Sequence, residues 1–333
     1  LQRVLTALAE QSYPSTNFEV IVISDGSTDT TLDYLAQVQL PFKLQALSQE
    51  NQGAAAARNR GLQAAQGRVI LFIDDDVIPT PDLVATHAYM HEAAADIVVL
   101  GPMLTPTDFK MAPWVRWEQA MLAKQYDEMT NHLWQPTARQ FYTGNASVEH
   151  SHLVAVGGFD PKFRRAEDVE LAYRLHGRGL TFHFNPHAIG YHYAERSFTS
   201  WLSTPYEYGR NEVIFATSLG QAWLLETALW EFMTRHWLIR MLVFICLSHL
   251  SITQFTIQTM RAVASLASAD GQERIANYAY SAIFNLRYYQ GMADELGGRQ
   301  PFLDRLTKAP TFKPLFRIPF TGCMPKRHEA NQL

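Results

Sequence analysis

Short apolar runs alternate with helix-like segments over roughly the first hundred residues. Three runs, "FEVIVIS", "RVILFI" and "DIVVL", are each followed by acidic residues, glycine or proline, which is the pattern of buried strands that end in turns. Between them, "TDTTLDYLAQV", "AAAARNRGLQAAQ" and "TPDLVATHAYMHEAA" have the composition and spacing of helices. This alternation predicts an α/β fold with a mostly parallel central sheet flanked by helices.

The chain begins within a segment of helical periodicity. Leu1, Val4, Leu5 and Leu8 have the spacing of one apolar helix face, and no signal-peptide pattern accompanies them. We therefore expect that the chain is a fragment and that at least one element before this helix is missing.

A long apolar region follows residue 205. Residues 241–257, "MLVFICLSHLSITQFTI", contain no Lys, Arg, Asp or Glu and are just long enough to span a bilayer, although several polar residues dilute them. Three interpretations are open: a buried helix of a bundle, a helix on a membrane surface, and a membrane span. We predict a first domain at 1–205, an apolar helical region at 206–300 that two of these interpretations associate with a membrane, and a C-terminal tail at 301–333.

The composition argues against some classes of protein. Of the 333 residues, 47% are hydrophobic and 18% are charged, so the chain can build a large core. The net charge of −4 provides no basic surface, and we expect no nucleic-acid partner. The two cysteines, Cys246 and Cys323, have no metal-type spacing and do not suggest a disulfide framework. They favour a cytoplasmic location, at the cytoplasmic face of the membrane if the helical region contacts lipid.

Three adjacent carboxylates, Asp74, Asp75 and Asp76, follow the second apolar run. Asp74 and Asp76 can bind a divalent cation, since Mg²⁺ and Mn²⁺ prefer oxygen ligands and share them with substrate phosphates. The alternative is a solvated turn, because Asp is common after strands. Asp25 ends the preceding run, and ligands collect at the carboxyl ends of strands in such sheets. Both positions are therefore candidates for one site.

Other charged residues are candidates for the same site. Glu167 and Asp168 open a predicted helix, where the helix dipole alone favours acidic residues; the functional alternative is a general base. Arg58 is a candidate to pair with phosphate or with the acidic cluster. Arg164 and Arg165 are candidates to lower the pKa of Asp168 or to steer phosphate.

Taken together, four segments resemble the inverting family 2 glycosyltransferases of the GT-A fold. They are "FEVIVISDGSTDTT", "NQGAAAARNRGLQAAQGRVILFIDDDV", "GNASVEHSHLVAVGGFDPKFRRAEDVELAYRLHGRGL" and "NPHAIGYHY", and they cover roughly residues 1–195. The resemblance implies a GT-A nucleotide-diphospho-sugar transferase fold whose first strand is missing. It also implies a Mg²⁺ or Mn²⁺ cofactor and a nucleotide-diphosphate sugar donor linked to UDP, GDP or dTDP.

The resemblance further implies roles for individual residues. Two are implied in catalysis: Asp168 as the general base, and Glu167 beside it. Three are implied in metal binding: Asp74, Asp76 and His192. Five are implied in binding the nucleotide, the donor sugar or the acceptor: Asp25, Arg58, Asp75, Gly144 and Asn145.

The expected reaction is metal-dependent, inverting sugar transfer to a hydroxyl of a cell-surface polysaccharide, glycolipid or other glycan. Glycan or lipid-linked acceptors and a peripheral membrane contact are the expected partners. The QxxRW motif of processive synthases is missing, which favours transfer of one or a few sugars. A phosphohydrolase of the haloacid-dehalogenase type also ends a strand with D-x-D, but it leaves the "GGFD" and "ED" segments unexplained. A non-catalytic or inactive module of the same fold that binds sugar nucleotides or glycans is the main alternative.

Overall fold

The computed structural model describes residues 1–163 and 165–308, which form two compact units. The first comprises Leu1–Lys110 and Leu122–Ala194, and the second comprises Met111–Met121 and the chain from Glu195 onward. The second unit thus starts ahead of the predicted division at residue 205. Of the predicted tail, the part up to Thr307 is helical, and residues 309–333, including Cys323, lie outside the described residues.

The strands of the described chain all lie in the first unit. They are β1 (Glu19–Asp25), β2 (Lys43–Gln49), β3 (Val69–Ile73), β4 (Val77–Pro79), β5 (Ile97–Leu100), β6 (Met103–Leu104), β7 (Asn145–Glu149), β8 (Thr181–Phe184) and β9 (Gly190–His192). The three apolar runs predicted as strands correspond to β1, β3 and β5, which confirms those predictions.

The strands form three small sheets. β1 and β2 are a parallel pair in which Glu19 lies opposite Lys43 and Asp25 lies opposite Gln49. The other sheets have the orders β3-β7-β5-β8 and β4-β9-β6. β7 is antiparallel to both of its neighbours and β4 is antiparallel to β9, whereas β5–β8 and β6–β9 are parallel. The α/β class is confirmed: in the four-stranded sheet, β3, β5 and β8 run in the same direction and β7 runs against them.

The helices of the first unit pack apolar faces against these sheets. They are α1 (Gln2–Ala9), α2 (Thr31–Gln37), α3 (Ala54–Ala64), α4 (Leu83–Ala93), the second half of α5 (Pro113–Thr130), α6 (His150–Ala155) and α7 (Glu167–Gly177). Val4, Leu5 and Leu8 of α1 are buried, as their spacing predicts, and they share a cluster with Leu35 and Phe42.

The second unit is helical throughout its described part. Besides the first half of α5, it contains α8 (Phe198–Ser218), α9 (Ala222–Thr234), α10 (Trp237–Cys246), α11 (Leu250–Ala269), α12 (Glu273–Glu295) and α13 (Arg299–Thr307). Its core is rich in aromatic side chains. Trp117 and Trp201 meet edge to face with centroids 5.9 Å apart, and Phe232 and Tyr289 do so at 4.6 Å.

Two glycines allow the backbones of α8 and α12 to touch. A Cβ on Gly209 would overlap the carbonyl oxygen of Tyr288 and lie 2.9 Å from the nitrogen of Met292. A Cβ on Gly291 would overlap the carbonyl oxygen of Tyr206. No residue with a side chain fits at either position without moving the two helices apart.

The apolar segment 241–257 is divided between two helices. α10 ends at Cys246, Ser248 has a φ of 69°, and α11 begins at Leu250. The hydroxyl of Thr253 donates to the carbonyl of Cys246 at 2.9 Å. This hydrogen bond connects α11 to the end of α10 across the break. The interpretation of 241–257 as one spanning helix is contradicted by this break. Across the part of the chain that the structure describes, no helix combines the length and apolarity needed to cross a bilayer.

Candidate active site

Asp25 is the last residue of β1, and its carboxylate accepts hydrogen bonds from the backbone just before α3. Its Oδ1 accepts hydrogen bonds from the side chain of Gln49 and the N–H of Gln52, and its Oδ2 accepts one from the N–H of Gly53, each at 2.8 Å. Gly53, with a φ of 92°, precedes α3 and has no side chain to cap it. Desolvation raises the pKa of Asp25, but these three bonds outweigh it and hold the pKa below its ordinary value. The carboxylate predicted to contact a nucleotide therefore also fixes the start of α3.

α3 presents Arg58 to two carboxylates from distant parts of the chain. Nη1 of Arg58 donates to Oε1 of Glu167 at 2.6 Å, and Nη2 donates to Oδ1 of Asp74 at 3.4 Å. Glu167 is the first residue of α7, whereas Asp74 follows β3. The Arg58 and Glu167 side chains are partly shielded from water, so their attraction is stronger than that of an exposed pair. The structure thus shows Arg58 paired with the acidic cluster, and its pairing with phosphate stays a prediction.

Asp168 follows in the first turn of α7, where its Oδ1 accepts the N–H of Val169 at 2.8 Å. Burial raises the pKa of Asp168 to about 7, and the Glu167 and Asp74 carboxylates add to the shift. Arg58 and the N–H of Val169 act in the opposite direction but do not outweigh burial. The carboxyl group of Asp168 therefore titrates near neutral pH.

The direction of this shift corrects the sequence analysis. The expectation that Arg164 and Arg165 lower the pKa of Asp168 is wrong in direction, because burial and the neighbouring Glu167 carboxylate prevail. Arg164 lies outside the described residues. A carboxyl group with a pKa near the working pH is well suited to accept a proton during a reaction.

The acidic triplet forms the turn between β3 and β4. The N–H of Val77 returns to the carbonyl of Asp74 at 3.1 Å, so the turn is tight. Asp75 is exposed, and the side chains of Asp74 and Asp76 are 42% and 44% exposed. Nε2 of His192, on β9, lies 3.5 Å from Oδ2 of Asp76. The pairing of β4 with β9 thus brings His192 next to Asp76 although the two residues are far apart in sequence.

The charges of this turn suit a divalent cation. Burial raises the pKa of Asp74; Arg58 opposes the shift, Asp76 adds to it, and His192 opposes it. A cation between Asp74 and Asp76 would relieve their repulsion, and oxygen ligands are those that Mg²⁺ and Mn²⁺ prefer. No group of three or more His, Cys, Asp or Glu side chains within residues 1–163 and 165–308 is arranged to hold an ion alone. Oxygens of a bound phosphate would have to complete the coordination.

Gly144 and Asn145 lie directly behind the acidic turn. The N–H of Asp74 donates to the carbonyl of Gly144 at 3.4 Å, and a Cβ on Gly144 would lie 3.0 Å from Oδ2 of Asp74. The side chain of Asn145 is buried, and its Nδ2 donates to the carbonyls of Pro102 and Ala188 at 3.0 and 2.7 Å. Asn145 therefore links the loops next to β5 and β9. Its implied contact with a sugar stays a prediction.

A buried polar network beside β7 was not predicted from the sequence. His87, on α4, lies 2.8 Å from Oγ of Ser147 and 3.0 Å from Oδ1 of Asn145, and His91 lies 2.8 Å from the same Ser147 hydroxyl. Burial lowers the pKa of His87 to about 4, so its imidazole is neutral at neutral pH. The partners are 56 to 60 residues apart in sequence, and no local pattern signals the contact.

Asn59 is a second residue that sequence reasoning missed. Its Nδ2 donates to the carbonyl of Phe159, and its Oδ1 accepts the N–H of Phe159, both at 2.8 Å. Gly158 has a φ of 70°, and a Cβ there would lie 2.5 Å from Oδ1 of Asn59. The "GGFD" segment is thereby held against α3. α3 thus positions both the loop before α7, through Asn59, and the start of α7, through Arg58. The polar residue between the two arginines of "ARNRG" was the available signal.

A cavity of about 430 Å³ opens beside the acidic turn, within the size range of small-molecule sites. Asp75 and Asp76 line it together with Arg3 and Tyr193, and the Arg3 guanidinium carbon lies 3.9 Å from the centre of the Tyr193 ring. Asp25 and Asp168 are not among the described residues that line the cavity. The predicted site residues therefore form two groups, one around this cavity and one around Arg58, which meet at the acidic turn.

The fold and the site together define a class of protein. The first unit has an acidic turn after β3 and a carboxyl pair at the start of α7, which is the arrangement that the resemblance to the GT-A glycosyltransferases implies. Residues 1–156 match the model of Glycosyl transferase family 2.

The chain is also similar in sequence to known glycosyltransferases. The chain is 33% identical over 212 residues to validoxylamine A glucosyltransferase of Streptomyces hygroscopicus subsp. limoneus, covering 54% of this chain and 46% of that protein. It spans about half the length of the curated relatives it matches, 57% and 46% in two cases.

Two solved structures have a similar fold. One is the mannosyltransferase PcManGT from Pyrobaculum calidifontis in complex with GDP-Man and Mn²⁺, with a TM-score of 0.54 and 16% identity over 87% of this chain and 82% of that chain. The other is S. aureus TarS 1–349 in complex with UDP-GlcNAc, with a TM-score of 0.51 and 19% identity over 90% of this chain and 88% of that chain. At these identities the likeness establishes the fold alone.

Proposed function

We propose that the protein is a metal-dependent, inverting glycosyltransferase that moves a sugar from a nucleotide-diphosphate donor to a hydroxyl acceptor. One observation carries the proposal. Arg58 joins Asp74, in the acidic turn, to Glu167, next to Asp168, although these partners lie 16 and 109 residues away in sequence. A carboxylate suited to a divalent cation and a carboxyl group with a pKa of about 7 thus lie around one guanidinium.

Asp168 is the proposed general base. Its carboxylate takes the proton of the acceptor hydroxyl as the acceptor oxygen forms a bond to the anomeric carbon of the donor sugar. The bond between that carbon and the phosphate oxygen breaks, and the nucleoside diphosphate leaves with the electron pair. Attack from the face opposite the leaving group inverts the configuration in one displacement, so one base is sufficient. Burial raises the pKa of Asp168, the Glu167 carboxylate adds to the shift, and Arg58 opposes it.

The acidic turn is the proposed metal and diphosphate site. Asp74 and Asp76 would hold Mg²⁺ or Mn²⁺, with His192 beside Asp76 at 3.5 Å. When bound, the ion supplies positive charge for the departing diphosphate. Asp75, exposed on the same turn and lining the cavity, is proposed to face the donor. A side chain at position 144 would overlap the Met103 sulfur and crowd Oδ2 of Asp74, so the close packing behind Asp74 requires glycine there.

The donor class follows from the same site and from the solved structures that share the fold. PcManGT contains GDP-Man with Mn²⁺, and TarS contains UDP-GlcNAc. We extend this class to the present chain as a UDP-, GDP- or dTDP-linked sugar, with Asp25 at the nucleotide end. The proposed acceptor is a hydroxyl of a polysaccharide, glycolipid or lipid-linked glycan. One curated relative is named for transfer to such a polymer, poly(ribitol-phosphate).

The direct test is sugar transfer and donor hydrolysis by the full-length protein with a panel of nucleotide sugars, in Mn²⁺ and in EDTA. Asp168→Asn and Asp76→Asn remove the proposed base and a proposed metal ligand. Asp96→Asn is the matched control, because Asp96 is an exposed carboxylate of the same unit whose only described ion pair is with His152. We expect turnover to depend on Mn²⁺ and to be lost in the first two variants but not in the third.

Other outcomes separate the proposal from the alternative. Turnover that persists in both Asp168→Asn and Asp76→Asn would contradict the assigned roles. A protein that binds a nucleotide sugar, detected as a shift of its melting temperature, but turns over none of the panel would be a binding module of the same fold.

A further inference from the structure

α10 of the second unit carries an apolar stripe that no other described residue covers. Trp237, Leu238, Met241 and Ile245 are exposed, Trp237 to 57%. At about 100° per residue these positions lie within an arc of about 100° on one side of the helix. The other side, with Val243 and Cys246, is buried in the aromatic core. α10 therefore has large apolar side chains on its solvent side as well as on its core side.

α11 repeats this arrangement. Its exposed large apolar residues are Leu250, in the first turn, and Ile252, Phe255, Val263 and Leu266, with Phe255 exposed to 74%. The last four lie within an arc of about 80°, while the buried residues of the same helix face the core. A soluble surface rarely carries two adjoining stripes of this kind unless something binds them.

The two helices are joined into one surface element. The hydroxyl of Thr253, on α11, donates to the carbonyl of Cys246, on α10, at 2.9 Å, and the Cys246 thiol lies 3.6 Å from the hydroxyl of Thr256. Both helices also contribute to the same core cluster with α12. The stripes are therefore held in a fixed relation by packing on their buried sides.

The charge of this element points to the kind of partner. Between Glu231 and Asp270 there is no Asp or Glu, whereas the same stretch contains three arginines and two histidines. Arg235 pairs with Glu231, and Arg261 stacks 4.2 Å from the ring centre of Phe198. Arg240 lies one turn from Trp237 and is partly exposed, although its Nε is buried without a hydrogen-bond partner among the described residues. An apolar stripe with an arginine and a tryptophan at its edge, and with no acidic residue, matches an anionic lipid surface.

We infer that α10 and α11 form a docking surface for the headgroup region of a bilayer that contains anionic lipids. The apolar stripes enter the boundary between headgroups and acyl chains, and Arg240 contacts lipid phosphates. The break at Ser248 and the polar residues of α11 keep the helices on the membrane surface instead of across it. This surface is independent of the proposed reaction, because none of its residues belongs to the candidate active site.

The test is co-sedimentation of the full-length protein with vesicles of phosphatidylcholine alone and with vesicles that also contain phosphatidylglycerol. We expect binding to the mixed vesicles that exceeds binding to phosphatidylcholine alone. The double substitution Phe255→Ser with Leu266→Ser should lower the bound fraction by about tenfold, because it removes the most exposed part of the α11 stripe. Arg240→Gln should reduce binding to the anionic vesicles only, by a few-fold.

Leu133→Ser is the matched control, since Leu133 is 71% exposed but lies in the first unit. It should leave vesicle binding unchanged, and the melting curves of this variant and of the double variant should overlie that of the wild type because the side chains that they replace are exposed. Wild-type protein that stays in the supernatant with both vesicle types would overturn the inference. So would a dimer that the double substitution dissolves without any vesicle binding, since a second copy of the chain would then cover these helices.

Discussion

Different kinds of contact stabilise the interior of each of the two units. In the first, the candidate site depends on polar side chains that reach across the sequence, as Arg58 does to Glu167 and Asp74. In the second, close contact of apolar and aromatic groups dominates, and Gly209 and Gly291 let two helix backbones touch. The first arrangement places charges around the candidate site, whereas the ion pairs of the second, such as Arg235 with Glu231 and Arg210 with Glu295, connect its helices or lie along one of them. We therefore expect substitutions in the first unit to change chemistry more than stability, and substitutions in the second to change stability.

The sharpest test of this contrast is Asp168→Asn. Loss of the proposed base should lower kcat by about 10²–10⁴-fold. Stability should not fall at pH 8. A carboxyl group whose pKa is raised to about 7 stabilises the fold below its unfolded pKa, and this contribution is lost as the pH rises through about 7. Transfer kinetics and thermal unfolding of the same preparations measure both effects. An Asp168→Asn protein that is active but unstable would reverse the comparison.

The second test is Gly209→Ala. A methyl group there overlaps the Tyr288 carbonyl, so α8 and α12 must separate, and the free energy of unfolding should fall by about 3 kcal/mol. Gly177→Ala is the matched control, because a Cβ at Gly177 meets no atom within 4 Å. It should be neutral or stabilising by about 0.5–1 kcal/mol. Denaturant titrations give both values, and equal losses in the two variants would show that the helix contact is looser than described.

A smaller effect is expected at Asp25, where stability and site geometry meet. Asp25→Ala removes the acceptor of three hydrogen bonds at the start of α3, and it should cost about 1–2 kcal/mol. Asp25→Asn retains one carbonyl oxygen and should recover part of the loss. The two variants are compared by denaturant titration in the absence of nucleotide. Wild-type stability in Asp25→Ala would mean that the carboxylate has no capping role.

The smallest expected effect at neutral pH is on the pH profile. If Asp168 must be ionised, kcat/KM should fall as the pH drops below about 7. Arg58→Gln removes a positive charge that lowers this pKa, so its profile should shift towards higher pH. Rates between pH 5 and 9 at saturating Mn²⁺ measure the shift. A wild-type inflection in the ordinary range of a carboxylic acid, or a shift towards lower pH in Arg58→Gln, would contradict the proposed cluster.

The sequence predicts the elements of the first unit better than their connections. The apolar runs before Asp25 and Asp74 are strands, and the spacing of Val4, Leu5 and Leu8 is that of a buried helix face. These patterns are local, and burial of one face is enough to specify them. The antiparallel direction of β7 is not local, because it depends on the path of the chain between β6 and β7.

The candidate site shows the same limit. The residue types of Asp74, Asp76 and Asp168 indicate their chemistry in the sequence, but the partner of Arg58 and the upward pKa shift of Asp168 depend on contacts made across the fold. The bonds of Asn145 and the neutral state of His87 likewise come from burial, which no residue pattern near them reveals.

The position of α3 has a consequence for how such proteins can be recombined. Asp25 holds its start, Arg58 contacts α7, and Asn59 holds the loop before α7. A chimera joined between α3 and β3 would take β1 and α3 from one parent and α7 from another, so that the bonds of Arg58 and Asn59 cross the junction while those of Asp25 do not. Junctions placed after α7 keep the set intact. In chimeras of related enzymes, the segment from β1 to the end of α7 should therefore be exchanged as one block, and donor preference and catalytic activity should move with it together.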